Sequence, residues 1–96
     1  MDERVEAFIK DVLSLEGKNS NEVREGVRGY MAEYEKQVRD AETDVRKKVP
    51  ADQRFREQCC DRVIEEIQRR TAVSTIGHFQ TVLSVIKQPG AFSIER

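Results

Sequence analysis

The sequence predicts an all-α protein, a small four-helix bundle that contains a long helical hairpin. Apolar residues recur at helical spacing in four segments, and Gly or Pro stands at most of the boundaries between them. Acidic residues also precede basic residues by four positions, which supports exposed helix faces. At 96 residues the chain predicts a single domain, 1–96, in which residues 89–96 form a flexible tail. The predicted helices cover approximately residues 2–16, 20–49, 51–70 and 74–87.

The first helix carries an apolar stripe with the i, i+3, i+4, i+7, i+8 spacing of an amphipathic helix. Asp2 is placed to cap its first turn, and Gly17 stands where a left-handed residue ends a helix. Local signals therefore mark both ends. The stripe consists of Val5, Phe8, Ile9, Val12 and Leu13.

The second helix begins with a capping box, in which Asn19 is followed three residues later by Glu22. Its apolar residues are separated mostly by alternating steps of four and three, which is a heptad seam. We expect this helix to reach Val49, a length of roughly 43 Å at 1.5 Å per residue. The chain should then break at Val49-Pro50, because proline disfavours helical geometry in the residue before it. The seam comprises Val23, Val27, Tyr30/Met31, Tyr34, Val38, Ala41, Val45 and Val49.

The third and fourth helices are predicted from shorter stripes. The apolar face of the third helix holds Phe55, Cys59, Val63 and Ile67. The fourth segment is rich in β-branched residues, which would also suit a buried pair of strands. We interpret it as a helix capped by Ser74 and stopped by Gln88-Pro89-Gly90, because its apolar residues share one third of a turn at 100° per residue. These residues are Ala72, Ile76, Phe79, Val82, Leu83 and Ile86.

Composition argues against several functional classes. The 17 basic and 18 acidic side chains intermingle and give a formal net charge of -1, so no overall field attracts nucleic acid or an anionic membrane. The N-terminal stretch is charged from its second residue, unlike a secretory signal. The least charged stretch, TAVSTIGHFQTVLSVI, is too short and too polar to span a membrane. We therefore expect a cytoplasmic protein that does not bind membranes.

Cys59, Cys60 and His78 have the clearest potential for metal or thiol chemistry. Adjacent cysteines on a helix project about 100° apart and lack the two-residue gap of a Cys-x-x-Cys zinc motif. Both also fall inside the apolar arc of the third helix, where a free cysteine acts as a small core residue. We predict no catalytic residue, no metal site and no cofactor, and keep a thiol or metal-binding protein as a further alternative.

The charged clusters are expected to be solvated helix faces. The acid pairs Glu65-Glu66 and Glu33/Glu35 have basic neighbours at helical spacing. The runs Arg46-Lys47-Lys48 and Arg69-Arg70 would close the second and third helices, where basic residues complement the helix dipole. An alternative function is a small nucleic-acid-binding regulator that uses the region from the third to the fourth helix. Its binding residues would be Arg69, Arg70, His78 and Lys87.

The seam of the second helix is the main candidate for an interaction surface. Aromatic residues and Met on a long charged helix are typical of surfaces that pair with another helix. Two shorter helices cannot cover a seam of roughly 43 Å, so part of it is paired with the third helix or left for another chain. We therefore expect a non-enzymatic interaction or assembly protein that self-associates as a homodimer or binds another protein. The predicted partner-binding residues are Val27, Tyr30, Met31, Tyr34 and Val38.

Overall fold

The computed structural model describes residues 3–87 and confirms the predicted class, since four α-helices form a bundle of 43 × 27 × 19 Å and no strand occurs among these residues. None of the helices in that range is long and apolar enough to cross a membrane. The expected cap at Asp2, the stop at Gln88-Pro89-Gly90 and the tail at 89–96 lie outside the described residues. The helices are α1 (Glu3–Leu13), α2 (Ser20–Ala41), α3 (Lys48–Arg69) and α4 (Val73–Lys87), with a 3-10 helix at Val45–Lys47 between α2 and α3.

The helices α2 and α3 form the predicted hairpin. Arg39 near the end of α2 pairs with Asp52 near the start of α3. Glu35, one turn earlier, lies beside Arg56, one turn later, so the two helices run antiparallel. Each has 22 residues, about 33 Å at 1.5 Å per residue. Both α1 and α4 pack against both arms of the hairpin and close the core around it.

The core lies where the apolar faces of the four helices meet. The stripes predicted for α1 and α3 are mostly buried, and Phe8 and Cys59 are inaccessible to solvent. In α4, Val85 takes an unpredicted core position and Ile76 is only partly buried, whereas Ala72 precedes the helix and is exposed. The buried core residues are Val5, Phe8, Ile9, Val12, Leu15, Val23, Val27, Met31, Phe55, Cys59, Val63, Phe79, Val82, Val85 and Ile86.

Two of the predicted helix-end signals are confirmed. The N–H of Glu22 donates to Asn19 Oδ1 at 2.9 Å and the N–H of Asn19 donates to Glu22 Oε1 at 3.4 Å, which completes the capping box. Gly17 has a φ of 94°, the left-handed conformation expected of it. The cap predicted for α4 is wrong, because the helix begins one residue before Ser74 and that serine lies inside its first turn.

The predicted end of the second helix is also wrong. α2 stops at Ala41, and the chain leaves the helix at residues 42–44 instead of at Val49-Pro50. Pro50 lies in the first turn of α3, where the N–H groups have no helical partner and the missing N–H of proline costs no hydrogen bond. The proline therefore lies within the first turn of the next helix and does not mark the break.

Side chains of the α2–α3 turn satisfy the end of α2. Lys48 Nζ donates to the main-chain oxygens of Arg39 and Glu42 at 2.6 and 2.7 Å. It thereby satisfies carbonyl groups at the C-terminal end of the helix, which have no hydrogen-bond donor within the helix. Asp44 Oδ1 accepts the N–H of Arg46 at 3.0 Å and caps the 3-10 helix. The Lys48 ammonium thus complements the α2 dipole as expected of this basic run, although it belongs to the next helix.

Gly26 and Gly29 lie in the same helix but have different surroundings. A Cβ on Gly26 would lie 2.7 Å from Cδ1 of the buried Leu15, whereas a Cβ on Gly29 would meet nothing within 4 Å beyond its chain neighbours and the backbone of its own helix. Because alanine is favoured over glycine in a helix by about 1 kcal/mol, Gly29→Ala is expected to raise the free energy of unfolding by nearly that amount. Gly26→Ala is the matched control and should raise it less or lower it. Urea denaturation measures both, and equal gains would contradict the close contact with Leu15.

Candidate functional site

The five residues predicted to bind a partner do not form one exposed surface. Val27 and Met31 are fully buried in the protein's own core, because α1 and α4 both pack against α2. In this fold neither side chain can contact another chain, so the prediction is corrected for these two. Tyr30, Tyr34 and Val38 are partly buried and pack against the same core. For these three, partner binding stays a hypothesis.

Tyr34 joins α2 to two other helices. Its Oη donates a 2.5 Å hydrogen bond to Asp11 Oδ2 of α1, and its ring centroid lies 6.5 Å from that of Phe55 on α3. The hydrogen bond to Asp11, followed by burial, raises the pKa of Tyr34 to about 12. The phenol therefore remains protonated at neutral pH and holds α1 against the hairpin.

Three valines are strongly exposed. Val45 and Val49 at the α2–α3 turn expose 76% and 62% of their surface, and Val73 at the start of α4 exposes 84%. A helix that continued to Val49 would have placed Val45 and Val49 in the seam. Because α2 ends before residues 42–44, both side chains are exposed to solvent. Val45 and Val49 are four residues apart in consecutive helical turns, and we call them the turn patch. Val73 lies at the other end of α3, about 33 Å away along that helix.

The four residues of the alternative nucleic-acid surface are not brought together. Arg69 and Arg70 are at the end of α3, whereas Lys87 is about 21 Å from the start of α4 at 1.5 Å per residue. The His78 ring donates from Nε2 to the main-chain oxygen of Val12 at 2.7 Å, because a carbonyl can only accept. His78 thus closes the end of α1, and only Arg69 and Arg70 share a surface.

The two cysteines lie in different environments. Cys59 is fully buried, as predicted for a core residue, and Cys60 is half-buried beside Ile86 and Lys87. Burial raises the pKa of the Cys60 thiol, which disfavours the thiolate that nucleophilic or metal chemistry needs. His78 is directed towards α1 and lies about 13 Å along α4 from Lys87. Within residues 3–87, no three His, Cys, Asp or Glu side chains are grouped to hold a metal ion.

Glu66 is buried, with 3% of its surface exposed, so its expected place on a solvated face is wrong. Arginines of α3 compensate for its burial. Arg69 Nη1 donates to Oε2 at 2.9 Å, and Arg70 donates from Nη2 and Nε to Oε1 at 2.9 and 3.2 Å. Arg62 donates from Nη1 to Oε2 and from Nε to Glu6 Oε2 of α1, the latter at 2.8 Å. The cluster therefore joins α1 to α3.

A groove between α1 and α3 lies beside this cluster and has a volume of about 480 Å³. Two apolar side chains, Ile9 and Leu13, contribute to its wall, and the other contributors are charged. We call it the α1–α3 groove. Its lining consists of Glu6, Ile9, Lys10, Leu13, Arg62, Glu66, Arg69 and Arg70.

Glu35 is the second buried carboxylate, also 3% exposed and also expected on a solvated face. It belongs to a four-charge group between α2 and α3. Arg56 Nε lies 3.1 Å from Glu35 Oε2, and Arg39 Nη1 donates to Asp52 Oδ2 at 3.0 Å. Asp52 Oδ1 is buried and accepts no hydrogen bond from any residue that the structure describes. Burial, opposed by the charge of Arg56, raises the pKa of Glu35 to about 7.

The raised pKa of Glu35 predicts an unusual dependence of stability on pH. Between its ordinary value of 4.5 and the folded value of about 7, the folded protein binds a proton that the unfolded chain does not. The contribution of Glu35 to the free energy of unfolding therefore falls as the pH rises through this window, by up to about 3 kcal/mol. Glu35→Gln removes this loss, so the variant is expected to be more stable than the wild type at pH 8 and to lose that advantage towards pH 5.

Urea denaturation of the wild type and variant at a series of pH values checks this. Glu33→Gln, an exposed substitution in the same helix, is the matched control and should show no such trend. A Glu35→Gln protein less stable than the wild type at pH 8 would mean that the ionised pair with Arg56 is net stabilising.

Signals for both buried carboxylates exist in the sequence. Glu35 continues the row Val23, Val27, Met31 in steps of four. Glu66 has arginines four residues before it, three after it and four after it. Neither pattern specifies burial by itself, because each cluster includes a residue from another helix. Arg56 of α3 pairs with Glu35, and Glu6 of α1 pairs with Arg62 of the Glu66 cluster, and both contacts depend on the tertiary fold.

No family model matches the chain, and no similar protein was found among curated protein sequences or among solved structures. The described residues nevertheless present three distinctive places: the turn patch, the α1–α3 groove and the buried four-charge group. The first two are open to another molecule, and the third lies between α2 and α3.

Proposed function

We propose that the protein is a non-enzymatic helical assembly protein that forms a homodimer in the cytoplasm. The observation that carries the proposal is the turn patch, in which Val45 and Val49 expose 76% and 62% of their surface. Val38 lies in the last turn of α2 at the same end of the molecule and is only partly buried. Cys60 forms no disulfide among the described residues, which suits a reducing compartment.

A two-fold dimer suits a small apolar patch of this kind. In such a dimer the same patch of each subunit faces its copy, so exposed valines on one chain meet exposed valines on the other. Burying this surface removes apolar area from water, which favours association by about 25 cal/mol for each Å². Tyr30 and Val38 supply further partly exposed area on α2.

The test is the mass of the protein in solution, measured by sedimentation equilibrium across the micromolar range. The wild type is expected to have twice the chain mass of 11.1 kDa. The double variant Val45→Glu, Val49→Glu is expected to be monomeric, because it places two carboxylates opposite two others. Val49 lies in the first turn of α3, where a carboxylate is favourable to the helix dipole, so the fold should be retained.

Val73→Glu is the matched control. It also replaces an exposed valine in the first turn of a helix, but at the opposite end of α3. We expect it to remain a dimer. A monomeric wild type throughout the micromolar range, or a dimer that the turn-patch variant does not weaken, would overturn the proposal.

A further inference from the structure

We propose that the α1–α3 groove binds an acidic peptide segment of a partner protein, one that carries carboxylates next to an apolar side chain. The groove and the turn patch are separate, since the groove uses residues at the end of α3 and the patch lies at its start. The proposal is therefore independent of self-association.

The charge of the groove is the first support. Its lining contains four cations, Lys10, Arg62, Arg69 and Arg70, and two carboxylates, Glu6 and Glu66. Arg62 donates to both carboxylates. Arg69 and Arg70 donate to Glu66 as well, so three arginines share that one carboxylate. Glu65 approaches Arg62 from outside at 3.9 Å but does not line the groove. Two positive charges in excess thus face the groove of a chain whose overall charge is -1.

The arginines are also held in place before any partner arrives. Arg70 donates two hydrogen bonds to Glu66 and lies over the ring of Phe79, 5.4 Å from its centroid. Arg69 donates to Glu66 from one nitrogen only, and its side chain is 64% exposed. A guanidinium has five N–H donors, so positioned arginines of this kind can receive a second carboxylate.

An acidic peptide fits the groove better than nucleic acid does. The wall contributed by Ile9 and Leu13 suits an apolar side chain. Glu6 and Glu66 interrupt the positive surface of the groove, so it does not match a continuous row of phosphates, whereas its excess of two charges matches one or two carboxylates. A phosphate backbone also needs several cations in a row, whereas Lys87 and His78 lie elsewhere on the bundle.

The test is a titration of isotope-labelled protein followed through its backbone amide resonances. The probe is a short peptide of Glu and Leu with blocked ends, compared with a peptide in which Gln replaces every Glu and with a single-stranded oligonucleotide. We expect the acidic peptide to shift the resonances of Lys10, Leu13, Arg69 and Arg70 saturably. The Gln peptide and the oligonucleotide should bind more weakly at this site.

The variant Lys10→Gln, Arg69→Gln removes two exposed cations of the groove and is expected to weaken peptide binding about fivefold, as for exposed ion pairs. Lys18→Gln, Arg54→Gln makes the same change of charge at two exposed positions outside the groove and should bind like the wild type. An absence of saturable shifts, equal loss in both variants, or equal binding of the Gln peptide would overturn the proposal. If the oligonucleotide bound in the groove more tightly than the acidic peptide, the ligand would be nucleic acid, and the proposal of a peptide ligand would also be overturned.

Discussion

Replacement of Glu66 by glutamine is expected to lower the free energy of unfolding by about 3 kcal/mol, near the lower end of the cost of breaking a buried ion pair. The amide keeps the volume of the carboxylate but removes the charge that three arginines share. Arg62 is the least exposed of the three, with 13% of its side chain accessible, so after the substitution only Glu6 remains as a close partner for its charge. Arg69 is well exposed and can be hydrated. For a domain with a typical stability of about 5–15 kcal/mol, such a loss is a large fraction.

The effect of Glu66→Gln should also depend on pH. Burial alone would raise the pKa of Glu66, but hydrogen bonds from Arg62 and Arg70 outweigh burial and hold the pKa below its ordinary value of 4.5. A lowered pKa in the folded state contributes stability that is present above 4.5 and is lost as the pH falls through the folded value. The difference between wild type and variant should therefore shrink in acid.

Glu65→Gln is the matched control for this substitution. Glu65 is the adjacent residue, its side chain is 53% exposed, and it lies 3.9 Å from Arg62. An exposed pair of this kind contributes at most about 1 kcal/mol. Urea denaturation at neutral pH compares the two variants with the wild type. Similar small losses in both would mean that the Glu66 cluster contributes no more than an exposed ion pair does.

The class of fold could be predicted because its signals are local. The spacing of Val5, Phe8 and Val12 places them on one face of a helix whatever the rest of the chain does. The capping box at Asn19 is likewise contained within four residues, and the structure forms it. Amphipathic stripes and caps of this kind indicate the number of helices and most of the core.

The end of α2 could not be predicted because it depends on a tertiary contact. No Gly or Pro lies between Gly29 and Pro50, so nothing local interrupts the helix. The carbonyls of Arg39 and Glu42 are satisfied by Lys48, which reaches them only once α3 folds back. The exposed turn patch follows from this break and could not be anticipated either.

The candidate sites were anticipated only in part. The sequence marks Arg69 and Arg70 as a basic pair, but the groove that they line also needs α1. The burial of Glu35 requires Arg56, which is 21 positions away in the chain and adjacent only in the hairpin. A carboxylate can be buried only where a positive charge compensates it, and that charge can come from a residue far away in the sequence. A helical projection of one segment does not show such distant partners.

Replacement of Phe55 by alanine is expected to lower the free energy of unfolding by about 3–5 kcal/mol. The Phe55 side chain is 2% exposed and is among the largest fully enclosed groups of the core. Its removal loses the transfer free energy of the ring and leaves a cavity beside Tyr34, whose ring is 6.5 Å away. Because Tyr34 is tied to Asp11 by a hydrogen bond, it cannot readily move to fill that space. The surrounding side chains therefore cannot close the cavity, and the loss of stability caused by Phe55→Ala stays large.

Val73→Ala is the control for Phe55→Ala, since it also truncates an apolar side chain but at a position that is 84% exposed. Its effect should stay within about 0.5 kcal/mol. Thermal and urea denaturation should agree on the difference between the two variants. A Phe55→Ala protein that loses less than about 1 kcal/mol would mean that the core around Phe55 repacks freely. The hydrogen bond between Tyr34 and Asp11 could then not be what restricts repacking.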